Sequence, residues 1–316
     1  MTIMTHIPSP QEIIASLREK YVETERDTTF ARHFNRLLQV DDTGRPTPQP
    51  VRFNNAGETR GVMMIDGAGG GKTSLVRRAL KQHPALRATD DVPLPWIGVK
   101  VPNPATLKSL GVEILRRTGL SDVSDRASAS QIWAWVAHRF QLNGTVVLWI
   151  DEAHDLFRKG YETEAMLNTL KWLMQGEHPV IVVLTGVGAL GRIAAYDDQV
   201  NRRYSKIVQP SVQDAVDGAR LRGIFNAYCE LAGLKTPSDP DLIPRLIHAS
   251  RHRFGRCIET MINAIEIALL DRETELRMEH FADNFAMQEG CLPSRNVFVS
   301  PMWRDINLSA KPLGAQ

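Results

Sequence analysis

The chain has 316 residues, of which 43% are hydrophobic and 23% are charged, and its formal net charge at pH 7 is +2. This length leaves room for one α/β domain of ordinary size and a smaller helical domain. A net charge so close to zero excludes a chain that is basic throughout, so any nucleic-acid binding has to come from a local basic patch.

Cysteine usage and hydropathy favour a reducing, aqueous environment. Cys229, Cys257 and Cys291 lack the spacing of metal ligands, and we expect them to be small buried apolar side chains. No stretch reaches the length of a membrane-spanning helix, and the opening "MTIMTHIPSPQEII" lacks the apolar core of a signal peptide. We therefore expect a soluble, cytoplasmic protein without a membrane partner.

Residues 1–50 are predicted to form an N-terminal helical arm and a linker. Apolar residues recur at helical spacing between Pro10 and Leu38, and the turn-rich stretch "DDTGRPTPQP" follows them.

Residues 51–212 alternate between strand and helix patterns, which predicts an α/β domain with a parallel sheet between helices. The predicted strands are Val62–Ile65, Trp96–Val101, Thr145–Ile150, Val180–Leu184 and Lys206–Val208, and the predicted helices are one from Ser74, Ala105–Thr118, Ser130–Leu142 and Glu164–Gln175.

Strand patterns vanish after Gln213, so residues 213–290 are predicted to form a small helical lid domain. The remaining residues, 291–316, contain prolines and carry Phe298 and Trp303 without helical spacing. This pattern predicts a flexible tail whose two aromatic side chains anchor a partner. A tail that is disordered, or docked without a partner, is the alternative.

The run "MMIDGAGGGKTSLVRRAL", from Met63 to Leu80, places a glycine cluster between a strand and a helix. Because glycine is costly to order, the cluster predicts a backbone that bends tightly and approaches a ligand closely. Gly71, Lys72 and Thr73 complete the second half of the phosphate-loop pattern G-x-x-x-x-G-K-[ST]. A glycine-rich surface turn with an incidental Lys-Thr pair is the alternative.

In a phosphate loop, free backbone N–H groups and the helix N-terminus surround the β-phosphate. Lys72 is then expected to neutralise the β- and γ-phosphate oxygens, and Thr73 to offer its hydroxyl to Mg²⁺. The predicted nucleotide-binding residues are Gly67, Gly69, Gly70, Gly71, Lys72, Thr73 and Ser74.

Asp66 departs from this pattern, because it stands where the first glycine of the loop should be. An acid near phosphates is unfavourable, but this position usually lies at the end of the strand and Gly67 can form the turn instead. We expect Asp66 to lower nucleotide affinity without changing the assignment.

A second acidic motif ends the apolar run in "TVVLWIDEAHDLF". A continuous apolar run indicates a central parallel strand, and ligands bind at the carboxyl ends of such strands. Asp151 is therefore predicted to hold Mg²⁺, and Glu152 to orient or deprotonate the attacking water. A solvated Asp-Glu pair is the alternative.

Three further residues are candidates for the reaction. The strand after Asp151 ends at Thr185, whose hydroxyl could hold the water or the γ-phosphate, although a threonine that caps the next turn would look the same. In "DDQVNRRYSKIVQP", Arg202 and Arg203 precede the last strand, and one of them, Arg203 in the first instance, could reach the site of a neighbouring subunit. Solvated arginines are the alternative.

Histidine and tryptophan residues suggest no additional chemistry. His154 lacks a second histidine at helical spacing, so a structural role near the site is expected. Four tryptophans in apolar stretches are predicted to lie in the core, namely Trp133, Trp135, Trp149 and Trp172.

Together, "GAGGGKT", "LWIDEAHDLF", "VVLTGVG" and "NRRYSKI" resemble in order and spacing the phosphate loop, acid pair, sensor and arginine finger of AAA+ ATPases. Within that class, the stretch from the acid motif to "NRRYSKIVQP" resembles the TniB/TnsC transposition regulators. The resemblance covers roughly Phe53 to Met287. A sensor 2 arginine is not matched securely, since Arg253 and Arg256 both stand in "RHRFGRCIETMINA".

The resemblance implies an ATP-dependent and Mg²⁺-dependent homo-oligomer, a ring or helical filament, on double-stranded DNA. Its implied partners are a DDE transposase and a target-selection protein, and hydrolysis would time release. The DNA contacts of the family fall where this chain has Lys108, Arg116, Arg117 and Arg126, which a plain solvated face would also explain. Alternatives are a helicase loader of the IstB or DnaC type, an origin initiator, and a nucleotide switch that does not bind DNA.

Overall fold

The computed structural model describes residues 8–157, 160–196 and 198–308. They divide into two compact units. The α/β unit comprises Glu23–Ala68 and Lys72–Gln209. The helical unit comprises the described residues up to Val22, the tripeptide Gly69–Gly71, and the described residues from Pro210 onward.

A five-stranded parallel sheet forms the centre of the α/β unit. Its strands are β3 (Gly61–Ile65), β4 (Trp96–Lys100), β5 (Val147–Asp151), β6 (Ile181–Gly186) and β7 (Tyr204–Val208), in the spatial order β4-β5-β6-β3-β7. The register aligns Ile65 with Gly186 and Ile150 with Leu184. The carboxyl ends of β3, β5 and β6 therefore lie side by side.

Helices cover both faces of this sheet, as the alternating pattern predicted. They are α2 (Glu25–Asn35), α3 (Lys72–Gln82), α4 (Leu107–Arg117), α5 (Ala129–Asn143), α6 (Gly160–Leu173), α7 (Gly188–Tyr196) and α8 (Asp198–Asn201). Successive residues of β3 point to opposite faces. Met64 packs in one core cluster with residues of α2 and α3, whereas Met63 packs in the other with residues of α4, α5 and α6.

The N-terminal arm is not a domain of its own, which corrects the predicted boundary at residue 50. Helix α1 (Pro10–Glu19) contributes Ile14 and Leu17 to the core of the helical unit. Helix α2 belongs to the α/β unit, because its Phe30 and Phe34 are buried in that core and stack at 5.7 Å.

The turn-rich linker forms an antiparallel pair of short strands, β1 (Leu38–Val40) and β2 (Pro46–Pro50). These strands were not predicted from the sequence, because the stretch is rich in proline. Proline cannot donate a ladder hydrogen bond, but a two-stranded sheet has only edge strands, where proline is tolerated.

In the helical unit, α1 packs with α9 (Asp214–Ala232), α10 (Leu242–Ala249), α11 (Phe254–Leu270) and α12 (Met278–Glu289). Cys229 and Cys257 are buried, and Cys291 is partly exposed. Burial raises the pKa of the Cys229 thiol to about 11, which keeps it neutral. Among the described residues, no helix has both the length and the apolar character to cross a membrane.

The described part of the C-terminal tail, residues 291–308, is packed, which corrects the prediction of a flexible peptide with exposed aromatic anchors. Phe298 and Trp303 are both buried in the core of the helical unit. The Arg245 guanidinium of α10 donates to the carbonyl oxygens of Val297 and Ser300, at 2.5 Å and 2.9 Å. The docked alternative is therefore the one observed. Residues 309–316 lie outside the described residues.

Replacing a docked aromatic residue tests this packing. Trp303→Ala is expected to lower the free energy of unfolding by about 3 kcal/mol, because it leaves a cavity in the core. Met302→Ala, at a side chain that is 65% exposed, should change it by no more than about 0.5 kcal/mol. Urea denaturation of the full chain measures both, and equal midpoints for the two variants would contradict the docked tail.

Candidate nucleotide-binding site

The glycine-rich loop connects the end of β3 to α3. Gly69 and Gly71 have φ angles of +76° and +90°, a region that favours glycine. Helix α3 begins at Lys72, so its free N-terminal N–H groups lie at the loop, where phosphates bind. The predicted binding residue Ser74 lies in the first turn of α3 and is exposed.

The loop holds the Lys72 side chain, which is buried. Its ammonium donates hydrogen bonds to the carbonyl oxygens of Asp66 at 3.1 Å and Gly67 at 2.9 Å. The charge that is expected to neutralise the β- and γ-phosphate oxygens is therefore already positioned at the loop.

Asp66, the acid in place of the first glycine, is buried at the end of β3. Its Oδ1 accepts a hydrogen bond of 2.7 Å from the Gly67 N–H group. Its Oδ2 lies 3.7 Å from the guanidinium of Arg26, a residue of α2. The carboxylate thus has an arginine partner within the α/β unit, which offsets the repulsion that an acid so near a phosphate site would otherwise cause.

Asp151 is the centre of a hydrogen-bond network at the carboxyl ends of the strands. Thr73 donates to its Oδ2 at 2.8 Å, and Thr185 donates to its Oδ1 at 2.5 Å. The indole N–H of Trp149 donates to the Thr185 hydroxyl at 3.1 Å. The structure therefore brings the predicted metal-binding residues together, and the Thr185 hydroxyl points to Asp151.

These oxygens fit Mg²⁺. A hydroxyl and a carboxylate oxygen lie 2.8 Å apart at the phosphate loop, and both are hard oxygen ligands of the type that Mg²⁺ prefers. Within the described part of the chain, no group of three or more His, Cys, Asp and Glu side chains forms a metal site. Protein sites for Mg²⁺ often use one or two carboxylates plus substrate phosphates.

Glu152 adopts a left-handed backbone conformation, with φ of +56°, which is uncommon for a residue other than glycine. Its Oε2 lies 3.3 Å from Nδ1 of His154, and Nε2 of the same ring lies 3.4 Å from Oδ1 of Asp155. His154 thus lies between two carboxylates beside the site, in keeping with the structural role expected of it.

Arg202 and Arg203 are adjacent in sequence but differ in burial. The Arg203 side chain is 7% exposed, and its guanidinium lies 2.9 Å from Oε2 of Glu58, whose side chain is 9% exposed. Arg203 also donates to the Lys171 carbonyl oxygen at 2.8 Å. The Arg202 side chain is 63% exposed and lies 3.3 Å from the same carboxylate.

This geometry argues against the prediction that Arg203 reaches a neighbouring subunit, because its guanidinium is held inside its own unit. Arg202, the second arginine of the predicted pair, is the exposed one. Burial also raises the pKa of the adjacent Tyr204 phenol, and the Arg203 charge opposes that shift in part.

Two of the four tryptophans predicted to lie in the core do not. Trp133 and Trp149 are buried, but Trp135 of α5 and Trp172 of α6 are exposed. Helices α5 and α6 lie on the surface of the sheet, so each buries only one of its faces. An apolar sequence context alone did not reveal which face that is.

Sequence reasoning missed three contacts around the site, namely Trp149 with Thr185, His154 with Glu152, and Arg26 with Asp66. For Trp149 a signal exists: it precedes Asp151 by two residues, so both side chains lie on the same face of β5. For Arg26 no local signal exists, because its partner is far away in the sequence.

A parallel sheet between helices, a phosphate loop after β3 and an acid pair at the end of β5 together define an AAA+ ATPase. The family model of the bacterial TniB protein matches residues 50–214, which is more than half of the chain. The chain therefore belongs to the TniB family. No curated protein matches the sequence.

Several solved structures have a similar fold. The ORC1 protein of Aeropyrum pernix, solved in complex with DNA, has a TM-score of 0.63 and 17% identity, covering 91% of this chain and 70% of that chain. The ORC2 protein of the same organism has a TM-score of 0.59 and 15% identity, covering 88% and 75%. Cdc6p of Pyrobaculum aerophilum has a TM-score of 0.60 and 11% identity, covering 87% and 70%. At these identities the likeness shows the fold alone.

The different environments of the two arginines can be tested by stability. Arg203→Ala is expected to lower the free energy of unfolding by about 3 kcal/mol, because it leaves the buried Glu58 carboxylate without its closest partner. Arg202→Ala should change it by no more than about 1 kcal/mol, as for exposed ion pairs. Chemical denaturation compares the two variants, and equal losses would show that Arg203 is not the structural partner of Glu58.

Proposed function

We propose that this chain is an ATP-dependent regulator of DNA transposition that assembles on double-stranded DNA and recruits a DDE transposase. The observation that carries the proposal is the grouping of Lys72, Thr73, Asp151 and Glu152 at one edge of the sheet, in a chain of the TniB family. Hydrolysis of ATP would time release from DNA and would not act on DNA itself.

The site residues have distinct roles in this proposal. Lys72 neutralises the β- and γ-phosphate oxygens, and Thr73 and Asp151 hold Mg²⁺. Glu152 orients or deprotonates the attacking water. Thr185 was expected to hold the water or the γ-phosphate, but its hydrogen bond to Asp151 supports a different role, in which it orients the metal-binding carboxylate.

Assembly into a ring or helical filament would depend on nucleotide if an arginine of one subunit stabilised the transferring phosphate in the next. Arg202 is our candidate for this role, in place of Arg203. Its exposed guanidinium is available to a neighbouring subunit. A group that contacts ATP only in the assembled state makes assembly more favourable when ATP is bound.

The proposed DNA-binding surface is the exposed side of α4 and the segment that follows it. Arg116 and Arg117 both pair with Glu113, at 2.5 Å and 3.0 Å, and both are more than half exposed. Lys108 donates to the Asp125 carbonyl oxygen at 2.6 Å, and Arg126 is exposed. All four side chains keep their positive charge in these contacts. We expect that charge to bind the phosphates of DNA, without readout of its bases.

Two alternatives remain open to test. A helicase loader would share the ATPase core and DNA binding, but it would act on a helicase, and a DDE transposase gene beside this one would favour transposition. A nucleotide switch would not bind DNA, so DNA binding measured with and without ATP separates it from the proposal.

Glu152→Gln tests whether hydrolysis times release. The variant keeps the shape of the side chain and the Mg²⁺ site but lacks the base, so it should bind ATP, assemble on double-stranded DNA and remain there at least about tenfold longer than the wild type. The measurement is the lifetime of DNA complexes in ATP. Lys72→Ala is the control for lost nucleotide binding and should show no ATP-dependent complex. A Glu152→Gln complex that dissociates as fast as the wild-type complex would remove Glu152 from the catalytic residues.

The proposed DNA-binding surface is tested by a double variant and by a control variant elsewhere on the surface. Arg116→Ala combined with Arg117→Ala should weaken ATP-dependent DNA binding and make the negative slope of log K against log salt shallower by about 2, as expected for two lost phosphate contacts. Arg87→Ala, an exposed arginine outside this surface, should leave the slope unchanged. Salt titrations by filter binding measure both, and equal slopes in all proteins would place the DNA elsewhere.

A further inference from the structure

Trp149, two residues before Asp151 on β5, is joined to it by a chain of two hydrogen bonds. Its indole N–H donates to the Thr185 hydroxyl at 3.1 Å, and that hydroxyl donates to Oδ1 of Asp151 at 2.5 Å. Trp149 and Thr185 are both buried, so the chain lies in the interior of the α/β unit. In such a low-dielectric interior a hydrogen bond is electrostatically stronger than in water.

The sheet fixes the direction of the Trp149 ring. On one side, the register aligns Trp149 with Val183 of β6, and Thr185 lies two residues further on, so its side chain points to the same face. On the other side, Trp149 is aligned with Gly98 of β4, where a Cβ atom would lie only 2.7 Å from Cε3 of the indole. A side chain at this position would displace the ring. The glycine thus leaves room for the six-membered ring toward β4, which turns Nε1 toward β6.

The indole N–H determines where the Thr185 hydroxyl points its own proton. An indole nitrogen can only donate, so the hydroxyl oxygen accepts from Trp149 and its proton is left for another acceptor. Two acceptors are within reach, Oδ1 of Asp151 at 2.5 Å and the Ile150 carbonyl oxygen at 3.5 Å. The contact to the carboxylate is both shorter and charge-assisted, so it is the stronger one. Because successive hydrogen bonds polarise one another, the Trp149 N–H also makes the hydroxyl a better donor to Asp151.

The two oxygens of the Asp151 carboxylate have different partners. Oδ1 accepts from the Thr185 hydroxyl and, at 3.1 Å, from the N–H group of Glu152. Oδ2 accepts from the hydroxyl of Thr73, at 2.8 Å. The Glu152 N–H belongs to the next residue of the chain, whereas Thr185 links Oδ1 to a neighbouring strand. Thr185 therefore fixes the carboxylate relative to the sheet, with Oδ2 directed to the phosphate loop.

We propose that Trp149 is a positioning residue for Mg²⁺, which acts through Thr185 to hold the Asp151 carboxylate with Oδ2 toward Thr73. The inference deepens the proposed function and rests on it, since it takes Asp151 and Thr73 as the residues that hold Mg²⁺. Without the N–H group, the Thr185 hydroxyl loses the donor that orients it, and the carboxylate is held less firmly. The expected consequence is weaker Mg²⁺ binding in the nucleotide complex, while Lys72 and the loop still bind the nucleotide itself.

The test compares nucleotide affinity with and without Mg²⁺. Binding of a non-hydrolysable fluorescent ATP analogue to the full chain is measured in Mg²⁺ and in EDTA, and the ratio of the two affinities reports the contribution of the metal. Trp149→Phe should lower this ratio by at least about threefold, as expected for one lost hydrogen bond. Its affinity in EDTA should stay close to that of the wild type, because the nucleotide contacts of the loop are unchanged.

Trp133→Phe is the matched control. Trp133 is also buried in the α/β unit, and its indole N–H donates to the Leu107 carbonyl oxygen at 3.0 Å, outside the site. This variant loses the same group from an equally buried ring and should keep the wild-type ratio. In a Thr185→Val background, Trp149→Phe should change the ratio by less than about twofold, because the hydroxyl through which it acts is gone.

Equal ratios in Trp149→Phe, Trp133→Phe and the wild type would overturn the inference, although Mg²⁺ strengthened binding in all three. A wild type whose affinity does not depend on Mg²⁺ would instead contradict the proposed Mg²⁺ site itself, and the inference with it. If Trp149→Phe does not fold, as judged by circular dichroism, 3-benzothienylalanine at position 149 decides, because it keeps the shape of the indole and has sulfur in place of the N–H group. A lowered ratio in that protein supports the positioning role, and a wild-type ratio rejects it.

Discussion

The carboxylate of Asp151 is the interaction on which the candidate site depends. It accepts hydrogen bonds from Thr73 at the start of α3 and from Thr185 on β6, while it stands at the end of β5. Parallel strands bring their carboxyl ends to one edge, and the register of β3, β5 and β6 places the three contributing segments there together. A change in the packing of this sheet would therefore separate the oxygens that we propose to hold Mg²⁺ from the phosphate loop.

Much of this arrangement could be predicted because it is recorded in local sequence. The run of apolar residues before Asp151 predicts a strand buried on both faces, and the glycines before Lys72 predict the turn into α3. These two patterns also predict where the strands end, where the helices begin and in which order the motifs occur. The parallel sheet between helices is confirmed by the structure, with element boundaries displaced by a few residues.

The features that could not be predicted from the sequence depend on contacts between residues that are far apart in the chain. Trp172 was predicted to lie in the core and Trp303 to be an exposed anchor, yet Trp172 is exposed and Trp303 is buried. Local sequence did not reveal this, because burial depends on which helix packs opposite. The assignment of α1 and α2 to different units has the same origin, since both helices have similar apolar spacing but pack in different cores.

The two adjacent arginines show how one buried acid can serve two purposes. Glu58 lies 2.9 Å from the buried Arg203 and 3.3 Å from the exposed Arg202. If Arg202 turns toward another group, Glu58 keeps its closer partner, so no buried charge is left uncompensated. If Arg203 were to leave, the remaining partner would be an exposed side chain, whose contribution solvent weakens. Moving the Arg202 guanidinium away from Glu58 therefore costs little free energy, whereas moving the Arg203 guanidinium costs much. This difference is our reason for proposing Arg202 for the inter-subunit role.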